Sequence, residues 1–413
     1  MVLSEPEPTL PSWHRWLRQI DWITILLVAL LIAFGFIAIY SVSPKSGMEH
    51  LLHASLGLIA TLILSWTPYS WLERIVLLAY AGGLFLLALV LLIGQAVHGS
   101  KSWFSIAGTT FQPVELAKLT TLLFLAHFLS SENRSLRQLR TVLVGGAIVL
   151  FPALLVLLQP DAGSAMVFGA LLLTVFLWGG AHPLVVLMPV AVAAVALLSL
   201  MGTTALLLGI LVAAVAIFLT RPRLLPALLC VAGIVAAGWG ASSLYRFLKP
   251  HQQARIQSLL NPEQNPQSTG YHVIQSILAI GSGGLTGKGF QQGTQTQLRF
   301  VPQQINDFIF CVPAEEFGFV GATLLLAVLF GLLWHVFTLA HRLRDEPFWS
   351  LLISGIGGIW FFHAAINIGM ALGIAPVIGL PLPFVSSGGS ALTINMAMVG
   401  LLLNGYRQLY RTR

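Results

Sequence analysis

Uninterrupted apolar runs recur from one end of this chain to the other, and each is long enough to cross roughly 30 Å of hydrocarbon. They fall near residues 22–42, 50–68, 72–94, 114–130, 139–158, 163–179, 182–201, 203–220, 223–245, 309–340, 349–372 and 387–406. Lipid offers no water to backbone N–H and C=O groups, so segments of this kind can only be helices. The expected fold class is an all-α polytopic membrane protein of about twelve transmembrane helices with a large extracytoplasmic loop. Composition agrees: 57% of residues are hydrophobic and 8% are charged, with a mean hydropathy of +0.87. That balance excludes a water-soluble globule.

The chain then reads as a cytoplasmic N-terminal segment 1–21, a single transmembrane helical domain 22–406 and a cytoplasmic tail 407–413. Within the domain, residues 246–307 form the large outer loop. Orientation follows from the basic residues. With both termini inside, Arg15, Arg18, Arg74, Arg134, Arg137, Arg140, Arg221, Arg223, Arg342, Arg344, Arg407, Arg411 and Arg413 all lie on the cytoplasmic side. The outer set is smaller, and most of it sits in the one long loop. The net charge of +7 is therefore topology and contact with anionic membrane lipids, not nucleic-acid binding. The first apolar run is too long for a removed signal peptide and lacks a small-residue cleavage site. Cys230 and Cys311 both fall in apolar spans and read as free thiols.

Unusual residues concentrate in four patches on the outer face: 95–113, Gln159-Pro160-Asp161, 246–307 and 373–389. Irregular backbone near membrane depth is tolerated where protein buries it or water bathes it, so a wet cavity between helices is expected there. Asp307 stands at the end of the long loop, where the next apolar run begins. A charge at the edge of a bilayer is a functional candidate by default, and its ordinary alternative is a helix N-cap. Glu115 and Lys118, three apart, share one helix face and can neutralise each other. Glu315 and Glu316 lie inside an apolar run, so at least one must face protein or water. Tyr271, Ile274 and Leu278 fall at helical spacing, the pattern of an amphipathic helix in the interface or packed on the bundle. The run Gly281–Gly289 lacks the spacing of a nucleotide-phosphate loop and reads as a tight turn or a backbone approach to a lipid headgroup.

In order, these patches resemble the RodA/FtsW (SEDS) family of peptidoglycan glycosyltransferases. The resemblance rests on Phe111-Gln112-Pro113-Val114-Glu115 with Lys118, and on Gln159-Pro160-Asp161-Ala162-Gly163-Ser164. It continues through Gly270-Tyr271-His272, Gly293-Thr294-Gln295, Asn306-Asp307-Phe308-Ile309-Phe310 and Ala314-Glu315-Glu316-Phe317-Gly318. It ends in Asn367-Ile368-Gly369-Met370, Gly379-Leu380-Pro381-Leu382-Pro383-Phe384 and Ser386-Ser387-Gly388-Gly389-Ser390. The segment Gly293–Leu298 favours the RodA-like, elongation branch. The chain departs from the family pattern at Ser102, at Thr110, at Pro302–Asn306 and at Ser387, and two extra spans are expected between Asp161 and Arg246.

The resemblance implies polymerisation of lipid II with release of undecaprenyl pyrophosphate in the bacterial cytoplasmic membrane, with a class B penicillin-binding protein (transpeptidase) as partner. It implies Asp307 as the catalytic base. Lys101, Lys288 and Arg299 become expected phosphate contacts, against the alternative of solvated loop charges. Trp103 becomes a cavity-rim residue, against that of an interfacial aromatic. Glu115 and Lys118 become substrate-site residues, against that of a structural ion pair. Asp161 would line the cavity or help bind a divalent cation, Mg or Mn, whose ligands the sequence does not fix; an N-cap is the alternative. Two other functions share these features: a lipid-linked precursor flippase or transporter, and a non-catalytic scaffold for a penicillin-binding protein.

Overall fold

The computed structural model describes residues 19–97, 100–106, 109–131, 134–220, 224–245, 253, 269–298 and 300–410. Three helices open the chain: α1 (Trp22–Val42), α2 (Pro44–Trp66) and α3 (Tyr69–Ile93). Asp21 caps α1, its carboxylate accepting from the Thr24 N–H and hydroxyl and lying 2.8 Å from His335 Nε2. Ser43 caps α2, and Pro44 sits at its first position, where a missing N–H is harmless.

Next comes a feature the helical periodicity does not announce. Strands β1 (Gln95–Val97), β2 (Ser100–Ile106) and β3 (Thr109–Phe111) form a small antiparallel sheet in the order β1-β2-β3. Their span covers the polar patch 95–113, so the fold is helical with one short β element. Helices α4 (Pro113–Ser130), α5 (Leu139–Leu158) and α6 (Ala162–Trp178) follow.

Helices α7 (Pro183–Leu200), α8 (Thr203–Leu219) and α9 (Leu224–Tyr245) then build a satellite. Its apolar cluster of Val195, Leu206, Ala213, Ile217, Ala227 and Ile234 is separate from the main core. The second half holds α10 (Thr269–Ser282), the single turn α11 (Thr294–Gln297), the short α12 (Cys311–Glu316), then α13 (Gly318–Arg342), α14 (Pro347–Ala371) and α15 (Gly389–Gln408). The main core runs through α1, α4, α6 and α12–α15, with Leu31, Leu122, Leu171, Val312, Leu332, Trp360 and Leu401 all fully enclosed.

Each expected apolar run has a helix, and among the described residues eight are both long and apolar enough to count as candidate spans. The count of twelve is therefore not reached by that measure. Helices α6, α8 and α9 are shorter apolar segments. Large apolar side chains face outward on the peripheral helices, among them Leu78, Leu92 and Leu219. In water that surface would drive aggregation, whereas lipid covers it without cost.

The run expected at 309–340 is not one helix. It breaks at Phe317, the spanning helix starts only at Gly318, and φ at Gly318 is +66°. A Cβ at that position would strike the Gly287 nitrogen and the Leu285 backbone. Gly318→Ala is expected to destabilise the protein by about 1–3 kcal/mol, read as a lower melting temperature in detergent.

Helix α10 forms as expected, but it packs with the opposite face. Val273, Ser276 and Ala279 are buried, whereas Ile277 and Leu278 are exposed. The reason is polar: the Ser276 hydroxyl donates to the Ala371 carbonyl at the end of α14. The exposed leucine and isoleucine are left for lipid, as an interfacial helix requires.

Candidate functional site

Asp307 does not begin a helix. Residues 302–310 form consecutive turns, and α12 starts at Cys311 with Phe310 as its cap residue and no side-chain capping bond. The N-cap explanation for this carboxylate therefore fails. Its turn is tightly organised: the Gln303 carbonyl accepts the backbone N–H groups of Asn306, Asp307 and Phe308. Gln303 sits at φ +53°, and Phe384, in the facing loop, at φ +65°. Left-handed backbone at bulky residues persists only where surrounding structure over-determines it, and such strain gathers at functional sites.

What holds the turn is the loop between α14 and α15. Ser387 N–H donates to the Ile305 carbonyl at 2.8 Å, and the Ser386 hydroxyl donates to the Asn306 carbonyl at 2.6 Å. Asn367, fully enclosed on α14, donates through Nδ2 to the carbonyls of both Asp307 (2.9 Å) and Leu380 (2.8 Å). Gly379, whose φ of +72° favours glycine, lies beside the carboxylate: a Cβ there would be in ordinary contact with Asp307 Oδ2, at 3.6 Å. Asp307 itself remains partly exposed.

The same loop reaches the other patches. Ser390 accepts from the Gln112 N–H and donates to the Thr110 carbonyl, while Gln112 Nε2 donates to Asp161 Oδ2 at 3.3 Å. Asp161 is the N-cap of α6, accepting from the Ser164 N–H at 2.9 Å and from its hydroxyl at 2.8 Å. Gly163 lies directly against the Ile378 carbonyl. Residues from all four patches, far apart in sequence, thus converge around one loop.

Glu115 and Lys118 form an ion pair of 2.9 Å with side chains 6% and 0% exposed. Lys118 also contacts His363 Nε2 at 3.2 Å, and His363 Nδ1 lies 3.0 Å from the Pro381 carbonyl. His363 was not singled out by its sequence, because one histidine in an apolar helix carries no spacing signal. Two hollows elsewhere, one of about 510 Å³ beside Arg134 and Gln138 and one of about 430 Å³ between α7 and α8, contain none of the expected site residues.

Lys288 is not a free loop charge. Its ammonium pairs with Glu315 at 2.7 Å and donates to the hydroxyls of Ser282 and Thr294. Glu315 also accepts the N–H groups of Gln295 and Thr296. Burial raises its pKa, but the Lys288 contact and these N–H donors outweigh that and hold the carboxyl below the usual range. Glu316, equally enclosed, meets Ser41 and Gln297. Burial dominates there and pushes its carboxyl above the usual range.

The glycine run spends its backbone on the same segment. Lys288 and Gly289 N–H groups donate to the Glu315 and Glu316 carbonyls, and Gly284 and Leu285 carbonyls accept from Phe319 and Val320. These N–H groups are spent on the protein's own carbonyls, as a tight turn packed on α12 and α13 requires. Lys288→Ala is expected to speed hydrogen exchange across residues 283–297 and lower the melting temperature.

On the sheet, Lys101 is exposed and Trp103 half-buried, with Trp103 in register with Gln95. Arg299 lies outside the described residues. His272, on α10, stacks on Phe308 with ring centroids 6.1 Å apart.

Comparison with known proteins identifies the family. The FtsW/RodA/SpoVE family model, described as a cell cycle protein, matches residues 21–202 and 180–410. Its two pieces overlap at 180–202, where extra helices were expected. The chain is 32% identical to the peptidoglycan glycosyltransferase RodA of Treponema pallidum, covering 94% of this chain and 98% of that one. It is 33% identical to the peptidoglycan glycosyltransferase MrdB of Escherichia coli, covering 94% and 93%. Among solved structures, one from a peptidoglycan synthase complex that coordinates polymerization and crosslinking matches with a TM-score of 0.73 at 30% identity, covering 95% and 99%. Thermus thermophilus RodA matches with a TM-score of 0.63 at 27% identity, covering 95% and 98%. Sequence, fold and loop arrangement together place this multi-pass membrane protein in the FtsW/RodA/SpoVE family.

Proposed function

We propose that this protein polymerises lipid II into glycan strands for cell elongation, at the outer face of the bacterial cytoplasmic membrane, with both termini inside. The observation that carries the reading is Asp307: a partly exposed carboxylate on a turn pinned at three consecutive carbonyls, with no capping role to explain it. In the proposed step the carboxylate takes the proton of the acceptor sugar hydroxyl. The hydroxyl oxygen attacks the anomeric carbon of the donor from the opposite face, inverting it. The bond from that carbon to the pyrophosphate oxygen breaks, and the electron pair leaves with undecaprenyl pyrophosphate. A base within hydrogen-bond reach of the hydroxyl contributes on the order of 10²–10⁴ in rate.

The other residues divide by exposure. Lys101, exposed, and Trp103, half-buried, are proposed to meet a headgroup, and Arg299 is proposed on its sequence position alone. Asp161, with Gln112, borders the loop that carries the turn. Glu115, Lys118 and Lys288 act from behind, through their partners. A divalent cation finds no ready cage: among the described residues no three His, Cys, Asp or Glu side chains converge. A class B penicillin-binding protein is the proposed partner, in keeping with the synthase complex that the fold matches.

Purified protein in liposomes, given labelled lipid II with and without that partner, tests the function. Polymer supports the reading. Transbilayer movement without polymer would make the protein a flippase, and neither outcome would leave a scaffold.

A further inference from the structure

The buried charge pair and the Asp307 turn are joined through one histidine. His363 and Asn367 are four apart on α14, so they project from one face of the helix. They grip consecutive carbonyls of the same loop: Asn367 takes Leu380 and His363 takes Pro381. Asn367 also holds the Asp307 carbonyl. On its other side His363 meets the Lys118 ammonium, itself paired with Glu115. The ring is 5% exposed and Lys118 is 0% exposed, so water cannot replace either contact.

The partners fix the ring's tautomer. An ammonium has only donors, so Nε2 must present its lone pair; a carbonyl has only acceptors, so Nδ1 must carry the hydrogen. The neutral Nδ1–H form satisfies both. The other tautomer would set donor against donor at Lys118 and acceptor against acceptor at Pro381. The doubly protonated ring would place two cations 3.2 Å apart.

We infer that His363 is a positioning residue, whose Nδ1–H, held in place by the Lys118–Glu115 pair, fixes the Pro381 carbonyl and hence the turn that presents Asp307. This rests on the proposed polymerase reading. Two isosteres separate the two contacts. His363→Asn keeps a donor at the Nδ1 position and loses the Lys118 contact; His363→Gln keeps an acceptor at the Nε2 position and loses the Pro381 contact.

The test measures kcat and KM for lipid II polymerisation per folded molecule, with melting temperatures alongside. His363→Asn should melt lower yet stay within about threefold of the parent rate, whereas His363→Gln should lose between about tenfold and a hundredfold in kcat at unchanged KM. Equal rates in the two variants, or a folded His363→Phe with the parent kcat, would overturn the inference. If variants fail to fold, ¹⁵N spectra of histidine-labelled parent protein, with the signal assigned from a His363→Tyr difference in whole membranes, must show the Nδ1–H tautomer. A protonated Nε2 would sink it. Absence of polymer from the parent protein would instead strike the polymerase reading.

Discussion

Asp307→Asn is expected to abolish glycan polymerisation by folded protein, a loss of at least about a hundredfold in rate. The amide matches the carboxylate in size and can still lie beside Gly379. The turn is held through backbone groups, by Asn367, Ser386 and Ser387, none of which depends on the Asp307 charge. The variant should therefore fold and keep its affinity for a partner transpeptidase. What it loses is the ability to accept a proton. A variant that folds, binds its partner and still polymerises at the parent rate would remove Asp307 from the chemistry.

Lys118→Met should destabilise the protein by roughly 3–5 kcal/mol, because breaking an enclosed pair strands the remaining charge. Glu115 would keep a carboxylate on a side chain 6% exposed with no cation, and His363 would lose its donor. Lys118 is not compensated by solvent, since its side chain is wholly enclosed. The double variant Glu115→Gln/Lys118→Met should recover much of the loss, since enclosed ion pairs are often no better than uncharged replacements. Melting temperatures of the two single variants and the double variant in detergent check this. An unchanged melting temperature for Lys118→Met would contradict the enclosed geometry.

Local regularities were readable in the sequence, and long-range ones were not. The apolar runs marked α1 to α9, α14 and α15 because a membrane forces helix on any such run. The Glu115–Lys118 pair was visible because three residues' spacing closes it on one helix. The break before α13 was not: it consists of two residues' backbone geometry at Phe317 and Gly318, which averaged hydropathy smooths over. Lys288 was expected to meet phosphate because its partner Glu315 arrives from 27 residues away. His363 went unnoticed for the same reason, its partner Lys118 lying 245 residues distant. The apolar stripe of α10 left open whether it meets lipid or the bundle; Ile277 and Leu278 are exposed, and the inward face is instead the one whose Ser276 bonds the Ala371 carbonyl.

The most direct measurement is a structure of the Asp307→Asn variant in lipid nanodiscs, trapped with a lipid-linked donor and acceptor. The acceptor hydroxyl should lie within about 3 Å of the asparagine that replaces Asp307, with the donor's anomeric carbon beyond it. An acceptor hydroxyl bound against a different carboxylate, with position 307 turned away from both sugars, would contradict it.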